Sequence, residues 1–188
     1  MPAREDQRRA TWLALQAAAV DLVGRHGFAA VTVDDVAAAA GVSRRTFFNH
    51  FPTKAAALFD PEPDAEQRLA ALLEAADTTA GAWPALRGVL VAFAAGEVGP
   101  LAVRRRLVAE HPELDAYVRS AHAYVGGAVG AWSRRRLPDD PFGARLLTET
   151  AGAVLSAAFA VWQPDDDPAH FAELVAAGVD RVTVSTVG

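Results

Sequence analysis

The residues with the most chemistry to offer lie in one short run: Arg44, Arg45, Thr46, Phe48, Asn49 and His50. An arginine guanidinium makes paired hydrogen bonds to guanine O6 and N7, and an asparagine amide does the same with adenine N6 and N7. Thr46, His50 and the nearby Lys54 add donors that suit phosphates, which set register without reading bases. These side chains share an outward surface only if a helix beneath them buries its other side. Phe47 and Phe51, four residues apart, predict that buried side.

The flanking residues predict how such a helix is held. Ser43 is a good N-cap for a helix beginning at Arg44. Gly41 tolerates positive φ and turns the chain. Before it, Thr32 caps a helix in which Val33, Val36, Ala37 and Ala40 form one apolar face, and Asp35 completes a capping box with a shortened acid. After it, Pro52-Thr53-Lys54 reads as another helix start, whose free N–H groups suit a phosphate. Helix, tight turn and exposed polar helix together predict a helix-turn-helix that presents its second helix to the DNA major groove.

Gly27-Phe28, Thr32-Val33, Ala40-Gly41-Val42-Ser43, Thr46-Phe47, His50-Phe51 and Thr53-Lys54 follow one another in an order that resembles the N-terminal signature of TetR-type (tetracycline-repressor family) transcriptional regulators. The likeness runs to Leu58, roughly the first third of the chain. It implies a DNA-binding surface made by Thr32, Ser43, Arg44, Arg45, Thr46, Phe48, Asn49, His50 and Lys54. Members often carry tyrosine, with a hydroxyl for a phosphate, where this chain has Phe48, which can only pack against sugar or a thymine methyl.

The chain has 188 residues, 52% of them hydrophobic and most of those Ala, Val and Leu, a composition that favours packed helices over sheets. With no cysteine it has no disulfide or thiolate zinc site, and no metal or cofactor is expected. The charged leader MPAREDQRR is not a signal peptide, and the apolar stretches 89–95 and 151–162 read as too short or interrupted to span a bilayer, so a cytoplasmic protein is expected. Net charge is -5, but residues 1–54 carry seven basic and five acidic groups, leaving an acidic remainder. That asymmetry fits a basic head on an acidic body that limits nonspecific DNA binding.

An all-α protein is predicted, with a helix-turn-helix domain at 1–58 and a helical ligand-binding and dimerisation domain at 59–188. The first helix runs from about Asp6 to His26, packing Leu15, Ala19, Leu22 and Val23, and ends at Gly27. Arg4, Arg8 and Arg9 form either a basic arm or a solvated leader. Pro61 and Pro63 mark the domain boundary. Helices follow over about 64–76, from Pro84, over 101–110, as one helix over 112–136, and over 141–162 and 168–183. Asp140-Pro141 and Asp167-Pro168 are paired start signals.

In the body the resemblance implies an effector pocket, with Trp83, Phe93, Arg104, Leu107, His111, Tyr117, Tyr124 and Trp132 as lining candidates; plain core packing is the competing reading for each. His122 could orient a polar ligand group. The run Arg104–Leu114 resembles a subgroup whose C-terminal domain takes acyl-CoA-like ligands, and a basic cluster beside an apolar cavity suits such a ligand. The small residues of 151–160 permit close helix approach. By resemblance, the last two helices pair with a second subunit through Phe142, Gly152, Leu155, Phe159, Trp162, Phe171 and Leu174. A dimer would set two recognition helices about one turn of DNA apart, ~34–36 Å. The implied function is a ligand-released repressor bound as a homodimer to a palindromic operator. One alternative is a DNA-binding regulator controlled by a protein partner alone. An enzyme acting on acyl thioesters is the remaining one, and no nucleophile elbow, P-loop or H-E-x-x-H motif supports it.

Overall fold

The computed structural model describes residues 2–76, 78–79, 81–96, 101–121, 123–163, 165–167 and 169–182. Among them are eleven α-helices, one 3-10 turn and no strand. The helices are α1 (Pro2–His26), α2 (Val33–Ala39), α3 (Arg44–His50), α4 (Lys54–Phe59), α5 (Ala65–Glu74), α6 (Ala82–Gly96), α7 (Leu101–Glu110), α8 (Asp115–Ala121), α9 (Ala123–Arg136), α10 (Pro141–Val161) and α11 (Ala169–Arg181). The 3-10 turn, Pro112–Leu114, precedes α8.

Packing divides the chain into two units, differently from the expected 1–58 and 59–188. One unit contains residues 1–63 together with 106–121, and the other contains 64–105 and 122–188. α7 therefore contributes residues to both. The difference arises because Tyr117 and His111 find their partners on the N-terminal elements: the Tyr117 hydroxyl donates to Asp60 Oδ1 at 2.9 Å, and the His111 ring lies 5.6 Å from that of Phe28.

In the first unit, α1 packs on α2 and α4 through Trp12, Leu15, Ala19 and Val23, all buried, while Leu22 is only half-buried. α1 begins at Pro2, earlier than expected, so Arg4, Arg8 and Arg9 are helical rather than a loose arm. Gly27 (φ 82°) and Gly41 (φ 69°) take the left-handed conformation that lets the chain leave α1 and turn between α2 and α3.

The second unit stacks α5, α6, α9, α10 and α11 around Leu69, Leu86, Leu90, Trp132, Leu147, Trp162 and Val175, all essentially inaccessible. Where a helix over 112–136 is expected, the described residues give the 3-10 turn at Pro112–Leu114 and then helix over Asp115–Ala121 and Ala123–Arg136; His122 lies outside the described residues. Asp140 caps α10, its Oδ1 accepting from Gly143 N at 2.7 Å, with Pro141 at the first helical position. Asp167 Oδ1 accepts from Ala169 N at 2.8 Å where α11 begins; Pro168 and Pro100, expected at helix starts, lie outside the described residues. At 21 residues, α10 is long and apolar enough to cross a membrane by length and composition, contrary to the sequence expectation. One face of it is instead built into this unit, where Leu147, Ala151, Val154 and Ala158 are buried. α11 approaches α10 closely: a Cβ on Gly178 would stand 2.9 Å from Val154 Cγ1.

Candidate nucleic-acid interface

α3 has seven residues, too few to be stable alone in water. Its start is fixed by Ser43, whose backbone is extended and whose hydroxyl accepts from Thr46 N at 3.1 Å. Its inner side is fixed by Phe47 and Phe51, both fully buried with ring centres 5.8 Å apart, and Phe51 packs 5.2 Å from Trp12 of α1. Trp12 was not legible as a partner from periodicity alone. With that side occupied, Arg44, Arg45, Phe48 and Asn49 are exposed, as the spacing predicts, whereas Thr46 and His50, expected outward with them, are half-buried.

The exposed residues are not equivalent. Arg44 Nη1 pairs with Asp34 Oδ2 at 2.8 Å, and its guanidinium carbon lies 5.4 Å from the Phe48 ring centre. Phe48 is 46% exposed and stands edge-on to Phe47. Arg45 and Asn49, four apart, point the chemistry of base recognition outward together. Thr46 Oγ1 lies 2.8 Å from Ser43 Oγ, so both hydroxyls also serve the helix start. Burial, then the charge of Arg8, holds His50 below the ordinary 6.5, leaving it a neutral hydrogen-bonding group at pH 7. His50 also lines a groove of about 420 Å³ with Glu5, Arg8, Arg9, Trp12 and Pro63, and Arg9 pairs there with Glu62 at 3.5 Å.

Two residues read as outward donors have inward work. Thr32 forms the expected capping box: its hydroxyl accepts from Asp35 N at 3.2 Å, and its own N–H donates to Asp35 Oδ2 at 2.8 Å. Lys54 begins α4, but its ammonium turns back to donate to the carbonyls of Val31, at 2.6 Å, and Phe28, and sits 4.0 Å from the centre of the Phe28 ring. The free phosphate donor expected at this position is thus largely consumed by the loop between α1 and α2.

The expected effector residues are distributed over both units. Leu107, His111 and Tyr117 belong to the first unit and Trp83, Phe93, Arg104, Tyr124 and Trp132 to the second. Trp83 donates Nε1–H to Val182 O at 2.9 Å, Phe93 and Tyr124 meet edge to face, Trp132 is fully buried, and Arg104 is 3% exposed. His111 pairs with Glu113, and burial followed by the Asp60 hydrogen bond pushes the Tyr117 hydroxyl up to about 12. A surface groove of about 300 Å³ in the second unit is lined by other residues, among them Leu72, Pro84 and Val89. Of the expected partner-facing residues, Phe142 (77% exposed) and Gly152 are exposed and Leu155, Phe159 and Leu174 half-buried. Trp162 and Phe171 are instead buried in their own unit, their rings meeting edge to face, because Phe171 lies on the core-facing side of α11 and Trp162, the extended C-cap of α10, joins the same core.

Residues 15–60 match the family model for bacterial regulatory proteins of the tetR family. Over 176 residues the chain is 30% identical to a Mycobacterium tuberculosis protein named for mycofactocin biosynthesis transcriptional regulation, MftR, covering 87% of this chain and 88% of that one. The chain belongs to the tetR family. It is therefore a transcriptional regulator with a DNA-binding helix-turn-helix head and not an enzyme. The fold is shared with Thermus thermophilus FadR, a TetR-family transcriptional repressor crystallised with lauroyl-CoA, at TM-score 0.54 and 23% identity over 94% of this chain and 97% of that one. A regulator of Streptomyces coelicolor, SCO7518, aligns at TM-score 0.48 and 20% identity over 92% and 98%.

The capping box at the entry to this tetR-family head makes a pH prediction. The Thr32 hydroxyl, then its N–H, holds the Asp35 carboxyl below the ordinary 3.8. A depressed carboxylate stabilises the fold above its unfolded pKa and loses that contribution as pH falls through the folded value. Thr32→Ala is expected to lower stability by about 1 kcal/mol at neutral pH, the usual worth of an N-cap. The difference from wild type should shrink below pH 3.8, as read by urea unfolding across pH.

Proposed function

We propose that this chain is a repressor that binds a palindromic operator as a homodimer, reads bases with Arg45 and Asn49, and is released by a small apolar effector. The observation that carries the proposal is the seating of α3: two buried phenylalanines on one side, and a guanidinium and a carboxamide exposed on the other. Arg44, Thr46, Phe48 and His50 flank them as positioning contacts to the DNA backbone, and Ser43 and Thr32 supply helix N-termini. Arg44 reaches DNA only by sharing or leaving its bond to Asp34, so Arg45 is the stronger base reader.

The homodimer reading is supported by the free face of α10. Phe142, Arg145, Leu146, Glu149, Gly152, Ala153, Ser156, Ala157, Ala160 and Val161 recur at helical spacing and are all exposed. At 77%, 42% and 59% exposure, Phe142, Leu146 and Val161 leave apolar area uncovered at both ends of a stripe of small side chains. A second copy of the same face satisfies both features, large side chains seating beside small ones across a two-fold axis. Leu155, Phe159 and Leu174, each half-buried, border the stripe.

The effector reading is supported by polar groups in the second unit that the protein leaves unserved. Trp132 Nε1, Ser133 Oγ and Trp162 Nε1 are buried and find no hydrogen-bond partner among the described residues. Each such orphan costs about 1–3 kcal/mol, which a polar ligand atom would recover. Arg104, almost fully buried in the same unit, supplies a cation for an anionic head. FadR was crystallised with lauroyl-CoA, and we carry acyl-CoA over as the effector class. α7 supplies the route for the signal, because one continuous helix has residues up to Arg105 in the effector unit and from Arg106 in the head unit.

Three outcomes follow. Selection of genomic fragments by the wild-type chain should recover an inverted repeat; on it, Arg45→Ala and Asn49→Ala should each lose about 5–150-fold in affinity, or ~1–3 kcal/mol, and relax base choice at one position. Equal losses on operator and random duplex would contradict base reading. Ala157→Arg, placing a charge in the small-residue stripe, should convert a sedimenting dimer to monomer and abolish tight operator binding while leaving the helical circular dichroism intact. Lauroyl-CoA at about 100 times its Kd should stabilise the protein by ~2.7 kcal/mol in a thermal scan and weaken operator binding; an unmoved Tm would remove acyl-CoA as the effector.

A further inference from the structure

Lys54 is the only lysine in a chain that uses arginine at its 17 other basic positions. The choice has a local reason. The ammonium lies among the Val31 carbonyl at 2.6 Å, the Phe28 carbonyl and the face of the Phe28 ring, 4.0 Å from its centre. These three partners converge on a point, which suits a compact ammonium with three donors and not a planar guanidinium fork. Both carbonyls come from the loop between Gly27 and Thr32, where no helix supplies them with donors. Val31 is buried, and the next residue is the N-cap of α2, the helix on which α3 packs. Phe28 is held from a second direction by the ring of His111.

We infer that Lys54 acts in operator recognition as a positioning residue and not as a phosphate ligand: from the first turn of α4 it clamps the loop that leads into α2, and so fixes the angle at which α3 is offered to bases. At most one ammonium N–H is left for a phosphate once two carbonyls are served. Burial also holds the ammonium below the usual lysine value, in keeping with a group surrounded by protein. The inference rests on the DNA-binding reading above and adds to it the means by which the reading helix is aimed.

The two roles separate on substitution. Arginine serves a phosphate at least as well as lysine but does not fit the clamp. Binding of wild type, Lys54→Arg and Lys54→Met would be measured on the selected operator and on a random duplex from 50 to 200 mM salt. The clamp predicts that both variants lose about tenfold or more on the operator, change little on random DNA, and keep the wild-type slope of log affinity against log salt. A phosphate ligand predicts that Lys54→Arg binds as wild type, while Lys54→Met loses affinity equally on both duplexes and has a slope shallower by about 0.9. That result would overturn the inference. Amide exchange without DNA decides the clamp separately: the Thr32 N–H, bonded to Asp35, should exchange about tenfold faster or more in both variants while α1 core amides are unchanged. Unchanged Thr32 exchange would also overturn it. A wild-type chain that prefers no duplex would defeat the DNA-binding reading and leave the exchange result to judge the clamp.

Discussion

The head depends on one constraint: a helix of seven residues cannot hold itself. Burial of a phenylalanine is worth about 1.5–3 kcal/mol, and α3 uses two of them, Phe47 and Phe51, with Trp12 of α1 beneath. The same two residues decide which side chains remain outside. Stability and recognition are therefore set by one act of packing. The caps at Thr32, Ser43 and Thr53 add the local terms that let α2, α3 and α4, none longer than seven residues, begin where they do.

The helical unit faces the opposite problem. It has apolar surface in excess, because alanine and valine make helices that are greasy on more than one side. α10 resolves this by dividing its circumference, one part built into the core and the other left as a stripe of small residues between larger apolar ends. Its length and apolarity would suit a bilayer, yet Arg145 and Glu149 pair across the outer face, an arrangement suited to a watery or protein-lined surface. The acidic charge of the remainder of the chain is of the sign that repels a DNA backbone.

Much of the head was legible because its signals are local. A cap hydroxyl three residues before the amide it serves, a glycine at a positive-φ turn and two phenylalanines four apart all act within one or two turns of chain. Helices 101–110 and 141–162 were legible for the same reason, through their proline and acidic starts. What was missed is long-range. The allegiance of 106–121 to the N-terminal unit rests on Tyr117 reaching Asp60 and His111 reaching Phe28, contacts that periodicity cannot announce. Trp162 and Phe171 were expected outside and lie inside, since an aromatic residue looks alike in sequence whichever face of a helix pair it occupies. Lys54 reads from the sequence as an outward phosphate donor because nothing local says that two loop carbonyls wait behind it; its singular occurrence in the composition is the one available hint.

The close passage of α10 over Gly178 bears on how the helical unit can change shape. With no side chain there, the Val154 side chain of α10 seats against the α11 main chain at a spacing that even an alanine would disturb. Rolling one helix over the other would drive the Val154 side chain into that main chain, a contact that resists movement within the pair. Gly130 of α9 adds a second near approach, a Cβ there standing 3.4 Å from Thr148 Cγ2, so α10 is fitted closely against both α11 and α9.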